Sequence, residues 1–494
     1  MLEDLVLDMK WTPYLYREIA LLPGGKAGSR KHTLLLLLLL PLLFMSCEND
    51  DTLDTEELEP MVVMPPEEST DTNLDLVFSQ VFGGSQDDTF QDIITTTDGG
   101  YVALGYSQSV DGDITDNSEQ VNKYWLVKTD SEGTIQWSKT YGGSDDDRGE
   151  HLIQTNDGGY LLAGSSTSSD GDVSQNAGFY DHWLVKLDAS GTIQWERSYG
   201  FSGSDQLFSV IQTQDGGYFT GGFLDVSASG GAGNDGFTDT NTSQDPNSRA
   251  VQHGVGEFWG HKLDANGNLI WRRYFGGTNN DRVYQVIEAQ DGGILMVGAS
   301  ESNDFDVSNS RGSYDFWAVR LDDAGNLLWE QSYGGSEIDI AYAATATPDG
   351  GYLLAGDTRS ADQDITNLIG SADVWLVKID DQGNVQWQKT VGGTNFESAR
   401  SIIPHNGGYA FTGASRSADG DVTQNNGQND IWVATIDDTG NLSAQINLGG
   451  NNQDFGYGIT SSGDALIITG DTQSTNGAIT ASKGGVDALI IKLQ

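Results

Sequence analysis

Between residues 74 and 494 the apolar positions come in short runs bounded by Gly, Asp, Asn and Ser. Within the run at 182–187, Trp183, Val185 and Leu187 fall on one side and His182, Leu184 and Lys186 on the other. A period of two over so few residues, closed by turn formers, reads as a strand and not a helix. The tetrapeptide Asp-Gly-Gly-Tyr punctuates these runs. It starts at Asp98, Asp157, Asp215, Asp291 (Ile294 replacing Tyr) and Asp349, with a variant at Asn406 and a degenerate copy near Ser462. The starts are 56 to 59 residues apart, except for 76 between Asp215 and Asp291, which defines seven units. Each unit divides into four strands, read in the second as 151–155, 160–165, 182–187 and 192–199.

Tryptophan keeps the same beat. Trp125, Trp183, Trp259, Trp317, Trp375 and Trp432 recur in the third strand, and Trp137, Trp195, Trp271, Trp329 and Trp387 in the fourth. Repeated four-strand units with aromatics at fixed offsets predict an all-β fold, a seven-bladed β-propeller of four-stranded blades. The ends of the repeat region predict closure. Residues 74–82 match a fourth strand, and the last unit stops after a third strand at 488–493. The N-terminal strand is therefore expected to complete the last blade and leave no open edge.

The repeated words Asp-Gly-Gly-Tyr, Trp-Leu-Val-Lys-Leu-Asp, Gly-Thr-Ile-Gln-Trp and Tyr-Gly-Gly-Ser resemble the propeller-repeat lipoproteins of Bacteroidota over nearly all of 74–494. The Leu-Asp…Gly…Trp portion is also similar to the tryptophan-docking repeat of quinoprotein propellers. That second resemblance concerns blade packing and implies no quinone, because the cofactor-capping and metal-binding residues of those enzymes have no match here.

Loop lengths sort the two faces. Asp-Gly-Gly joins strands one and two, and turns such as 188–191 join strands three and four. Both are tight hairpins in which Gly supplies positive φ. The long loops between strands two and three, and the Gly-Gly-Ser links between blades, fall together on the opposite face, where a binding site is expected. Two acidic features lie there. A carboxylate follows each inter-blade turn at a fixed offset: Asp88, Asp147, Asp205, Asp281, Asp339, Glu397 and Asp454. It reads either as a ring at the channel mouth or as an Asx-type cap on its own turn. The long loops also carry Asp-x-Asp pairs: Asp111 and Asp113, Asp170 and Asp172, Asp304 and Asp306, Asp362 and Asp364, Asp419 and Asp421. Such a loop could give Ca²⁺ three or four of its six to eight oxygens, although it lacks the Gly and distal Glu of an EF-hand. The third unit differs, with a loop at 224–257 about 18 residues longer than its counterparts, an insertion a ring tolerates at little entropic cost. It ends on His253 and Glu257, with His261 beyond in strand three.

Charge narrows the partners. The 494 residues carry 25 Lys and Arg against 72 Asp and Glu, a formal charge of −47, which repels phosphate backbones and disfavours nucleic acid. The one cysteine, Cys47, excludes an intramolecular disulfide. Lys26, Arg30 and Lys31 precede an apolar run from Leu34 that ends in Ser46-Cys47 and is too short to span a bilayer. This resembles a lipoprotein signal in which Cys47 becomes the acylated first residue, with Phe44 standing where Leu is usual. Residues 1–46 are thus expected to be leader and signal, 47–73 an acidic tether, and 74–494 the propeller. The acidic stretch after Cys47 resembles the surface-export signal of Bacteroidota lipoproteins, implying an outer-membrane, cell-surface location.

Catalytic arrangements are missing from the sequence. His151, His182, His253, His261 and His405 scatter over different units, and neither a Gly-x-Ser-x-Gly elbow nor a His-Glu-x-x-His motif occurs. A monomeric surface module that binds a glycan or a protein is the expected role. A structural subunit of an outer-membrane assembly, or a glycan-active enzyme using paired carboxylates, is the alternative.

Overall fold

The computed structural model describes residues 74–235 and 253–494. The leader, Cys47 and the acidic tether lie outside the described residues. Seven four-stranded antiparallel sheets make seven blades, each a simple up-and-down meander. The fifth runs Asp339–Ala346, Tyr352–Thr358, Asp373–Ile379 and Val385–Val391. The ring closes as the sequence predicts: Leu76–Phe82 pairs antiparallel with Asp487–Leu493 and becomes the outer strand of the blade built from Asp454–Ser462 and Ala465–Thr472.

The core lies between blades. One cluster joins Leu295, Val297 and Phe316 of blade four to Leu354, Trp375 and Val377 of blade five. All six strand-three tryptophans are fully buried. Five of them send the indole N–H to strand four of their own blade, thirteen residues on, at Ser138, Glu196, Glu330, Gln388 or Gln445. The strand-four tryptophans dock on the next blade instead. Trp195 and Trp329 crowd the turn glycines Gly267 and Gly383, while the hydroxyls of Tyr141 and Tyr333 each donate to a carbonyl of such a turn at 2.7 Å.

Ion pairs explain why the Asp-Gly-Gly turn and the strand-three lysine travel together in sequence. Lys128, Lys186 and Lys262 reach Asp98, Asp157 and Asp215 at 2.8–3.0 Å, and Arg320 and Lys378 reach Asp291 and Asp349. The glycine in the middle of the turn sits at φ +89 in blade five, where a side chain would be strained.

Strand one departs from the sequence reading. In blade two it spans Asp147–Gln154, four residues earlier than alternation placed it. The cause is a β-bulge in every innermost strand, which breaks the period of two at the third residue after the turn carboxylate.

Candidate functional site

The inter-blade Gly-Gly turn presents consecutive backbone N–H groups with no strand partner, and each needs an acceptor. In blade five, Gly334 N–H donates to Asp364 (3.1 Å), Gly335 to Asp339 (2.7 Å), Ser336 to Asp362 (2.8 Å) and Glu337 to the Ser360 hydroxyl (3.0 Å). The same four-step clamp recurs in blades one, two, four and six. Blade seven replaces the first Asp of the pair with Asn476, whose amide oxygen takes the Asn451 N–H at 3.0 Å.

Of the two readings of the turn carboxylate, the hydrogen bonds match the cap. Asp88, Asp147, Asp205, Asp281, Asp339, Glu397 and Asp454 do not ring an open channel mouth. Each is at most 1% exposed and turned into its own turn, held also by serine or threonine hydroxyls such as Ser107 and Ser109 on Asp88. In blade three Asp205 instead accepts the N–H groups of Phe201 and Asp225. Burial raises several of these carboxyls, Asp147 to about 6 and Asp205 and Asp281 to about 7.

The carboxylates of the Asp-x-Asp pairs are the outer jaws of the clamp. The first acid of each pair, Asp111, Asp170, Asp304, Asp362 or Asp419, accepts the N–H of the residue after the Gly-Gly step. The second accepts the N–H of the turn's first glycine. Asp172 takes it from Gly142 at 3.2 Å, and Asp306 takes it from Gly276 at 3.3 Å. Asp113, Asp364 and Asp421 do the same for Gly83, Gly334 and Gly392. Neither Asp172 nor Asp306 is therefore an unengaged ligand aimed at a vacant centre: each has an oxygen fixed on backbone thirty residues away. Arg311 adds a contact to Asp364 at 3.3 Å, and Lys483 pairs with Asp113. Among the described residues no group of three or more His, Cys, Asp or Glu side chains is arranged to hold a metal ion.

A second set of residues emerges only from the bulges. The bulged residues are Gln91, Glu150, Phe208, Tyr284, Tyr342, Arg400 and Tyr457, one per blade. All seven lie on innermost strands near the long-loop end, and four of them make contact from blade to blade. Phe208 and Tyr284 are 5.3 Å apart, Tyr284 and Tyr342 5.1 Å, and the Arg400 guanidinium lies 3.6 Å from the centre of the Tyr342 ring. All seven are half-buried. Burial, ahead of neighbouring charges, keeps the Tyr342 phenol protonated well above the ordinary tyrosine range. Alternation missed this collar, because a bulge swings one side chain out of the period. The available signal was a position of varying identity three residues after an unvarying carboxylate.

Blade three breaks the pattern. The long loop opens with a short helix, Val226–Ser229, capped by Asp225. Arg272 occupies the strand-four position that accepts the indole N–H elsewhere, so Trp259 bonds the Gly233 carbonyl of the loop at 3.0 Å. Arg272 lies over both Phe201 and Trp259 and pairs with Asp235. His253, Glu257 and His261 do not converge on one centre. His253 and Glu257 are 3.3 Å apart and fully buried, His253 stacking on Phe305. His261 lies some 13 Å further along the strand, where it packs on Trp259 and His182 and meets the Thr220 hydroxyl. Burial holds His182 down to about 3 and His261 well below the ordinary imidazole range, so both rings are neutral.

No family model matches the chain. A curated protein, regulatory protein FlaEY of Caulobacter vibrioides, is 26% identical over 365 residues, covering 70% of this chain and 33% of that protein. The chain thus spans about a third of that relative's length. Among solved structures, BamB from Moraxella catarrhalis aligns with TM-score 0.38 and 12% identity over 84% of this chain and 99% of that one. The Neurospora crassa Pan2 WD40 domain gives 0.44 and 8% over 85% and 95%. A Bacteroides caccae protein of unknown function gives 0.37 and 12% over 66% and 89%. The propeller is established by its own strands, independently of these likenesses.

Proposed function

We propose that the chain is a binding module, lipid-anchored through Cys47 at the cell surface, whose ligand enters the channel mouth on the long-loop face. The observation that carries this reading is the collar. The turn carboxylate just before each bulge is acidic in all seven blades because each turn makes the same demand. The bulged residue is free of that demand and differs from blade to blade: five of the seven are aromatic or cationic, and Gln91 and Glu150 add polar groups. Half-buried rings beside hydrogen-bonding side chains suit a sugar, with the ring faces stacking and the polar groups fixing orientation. A glycan is therefore the ligand class we assign. Catalysis is disfavoured by what the candidate groups already do: His182, His261, His253 and Glu257 are buried in packing, and the repeated carboxylates hold backbone turns.

The test is binding of the full chain to a panel of bacterial and host polysaccharides, repeated with Tyr284→Ala and Tyr342→Ala. A bound glycan whose affinity falls at least tenfold in both variants supports the site. Unchanged affinity in both removes the collar from it, and capture of a protein with no glycan bound reassigns the ligand class. For the anchor, Cys47→Ser should move the chain from the membrane to the soluble fraction; membrane retention would overturn that part.

A further inference from the structure

The first residue of strand three is an acid in blades two to seven: Asp181, Glu257, Asp315, Asp373, Asp430 and Asp487. In blades three to six it faces the turn carboxylate of the following blade across one glycine. His253 stands 3.3 Å from Glu257 of blade three, which leaves the junctions after blades four, five and six as carboxyl pairs alone. A methyl at Gly334 would stand 2.4 Å from Asp315 Oδ1 and 2.7 Å from Asp339 Oδ2. At Gly392 the corresponding distances to Asp373 Oδ1 and Glu397 Oε2 are 2.6 and 2.8 Å, and at Gly449 those to Asp430 Oδ1 and Asp454 Oδ2 are 2.4 and 2.8 Å. All six carboxyl groups are fully buried.

Their far oxygens are accounted for. Asp315, Asp373 and Asp430 accept the N–H groups of Arg311, Ile369 and Asn426 four residues back, and the turn carboxylates hold their clamps. Of the near oxygens, those of the turn carboxylates Asp339, Glu397 and Asp454 accept the clamp N–H groups of Gly335, Gly393 and Gly450, and Asp373 Oδ1 accepts Gly370 N–H at 3.2 Å, whereas Asp315 Oδ1 and Asp430 Oδ1 have no hydrogen-bond partner. Two buried carboxylates cannot stand side by side in an interior of low dielectric, so they need a proton or a cation between them. A calcium ion wants six to eight oxygens, and at Asp315 and Asp339 only Asp315 Oδ1 is uncommitted. A proton needs one donor and one acceptor, which is what faces it.

We propose that at these three junctions the two carboxyl groups share one proton, so that neighbouring blades are joined by an acid–carboxylate hydrogen bond, strongest in mildly acidic solution. Around the first pair stand Asp364 with Arg311, and Asp357, with Arg359 two residues beyond it in the chain. Asp421 and Arg416 flank the second, and Asp471 and Asn426 the third. Burial, with the facing carboxylate adding to it, raises Asp315, Asp373 and Asp430, each to about 6. A folded-state value above the unfolded one makes the contribution complete below about pH 4 and lost as pH rises through about 6.

The test is thermal melting of the full chain from pH 4 to 8, with Asp315→Asn/Asp373→Asn/Asp430→Asn beside it. Asparagine keeps an acceptor for the loop N–H and supplies a permanent donor to the partner. The parent melting temperature should fall as pH rises through 6. The triple variant should lose much of that slope, melt above the parent at pH 8, and release about three fewer protons on urea unfolding at pH 5. If the variant does not fold, the infrared band of protonated carboxyl groups in the parent, present at pH 5 and lost by pH 8, is the readout. A flat or rising parent profile, equal proton release, or absence of the band overturns the proposal. So does restoration of the pH 8 melting temperature by Ca²⁺, which would put a cation in the proton's place.

Discussion

Trp259 Nε1 donates to the Gly233 carbonyl at 3.0 Å, whereas its five counterparts bond side chains of strand four. The swap ties the irregular loop of blade three to the core through one indole. Arg272 makes it possible, covering Trp259 and Phe201 while pairing with Asp235.

Arg272→Ala removes both ring contacts and the ion pair, and should cost about 1–2 kcal/mol in urea unfolding, most of it from the cation–π contacts. Arg272→Gln restores an acceptor for the indole, as in blades five and six, and should recover part of the loss. Equal stability of Arg272→Ala and the parent would show that the loop is held by something else.

The clamp predicts unequal costs for two of its aspartates in blade five. Asp339 accepts from Gly335 N–H and from the hydroxyls of Thr358 and Ser360, all buried. Asp339→Ala strands three donors and should cost about 3–5 kcal/mol. Asp362 accepts one exposed N–H, so Asp362→Ala should cost about 1 kcal/mol or less. Denaturant unfolding of the two single variants decides it. Similar small losses would return the turn carboxylates to a role at the surface.

The blade count, the strand order and the closing strand were legible because burial enforces them. Trp125 through Trp432 repeat since each fills the same gap, and Asp-Gly-Gly repeats since Gly350 and its equivalents need positive φ. The collar was not legible, since Tyr342 and its equivalents sit on bulges that break the alternation by which a strand is read. Nor could sequence show whether Asp172, Asp306 or Asp364 faces solvent or a glycine N–H, because an acid after a turn suits a cation and a cap equally well. The distance to that N–H decides it, and it depends on a partner thirty residues away.

Acid should unfold the ring from the other face. Asp98 and Asp349 are held down to about 2, the first by the Thr96 hydroxyl and then Lys128, the second by Lys378 and then Thr347. Asp157 and Asp215 reach about 2 as well, where lysine and threonine overcome partial burial. A lowered folded-state value gives stability that is present above about pH 4 and lost as pH falls toward 2. These carboxylates are half exposed, so each pair contributes well under 1 kcal/mol. Together with the junction acids they place the stability maximum near pH 4 to 5. Lys378→Met should make the acid limb of a circular-dichroism titration shallower without moving the limb above pH 6. A parent that stays equally stable from pH 5 to 2 would contradict the role given to the turn pairs.

Calcium should change little. The outer carboxylates of each clamp accept a backbone N–H at 2.7–3.3 Å, and a metal ion would have to displace those donors. Asn476 makes the same point in blade seven, where a neutral amide does the work of an aspartate. Melting the full chain at pH 7.5 with millimolar Ca²⁺ and with EDTA should therefore give the same midpoint. A ligand at a hundred times its Kd adds about 2.7 kcal/mol for each folded-state site, so five occupied loops would shift the midpoint unmistakably. Such a shift, reduced by Asp170→Asn/Asp172→Asn in proportion to one site in five, would restore the loops as calcium sites and recast their N–H contacts as the geometry of an ion-free form.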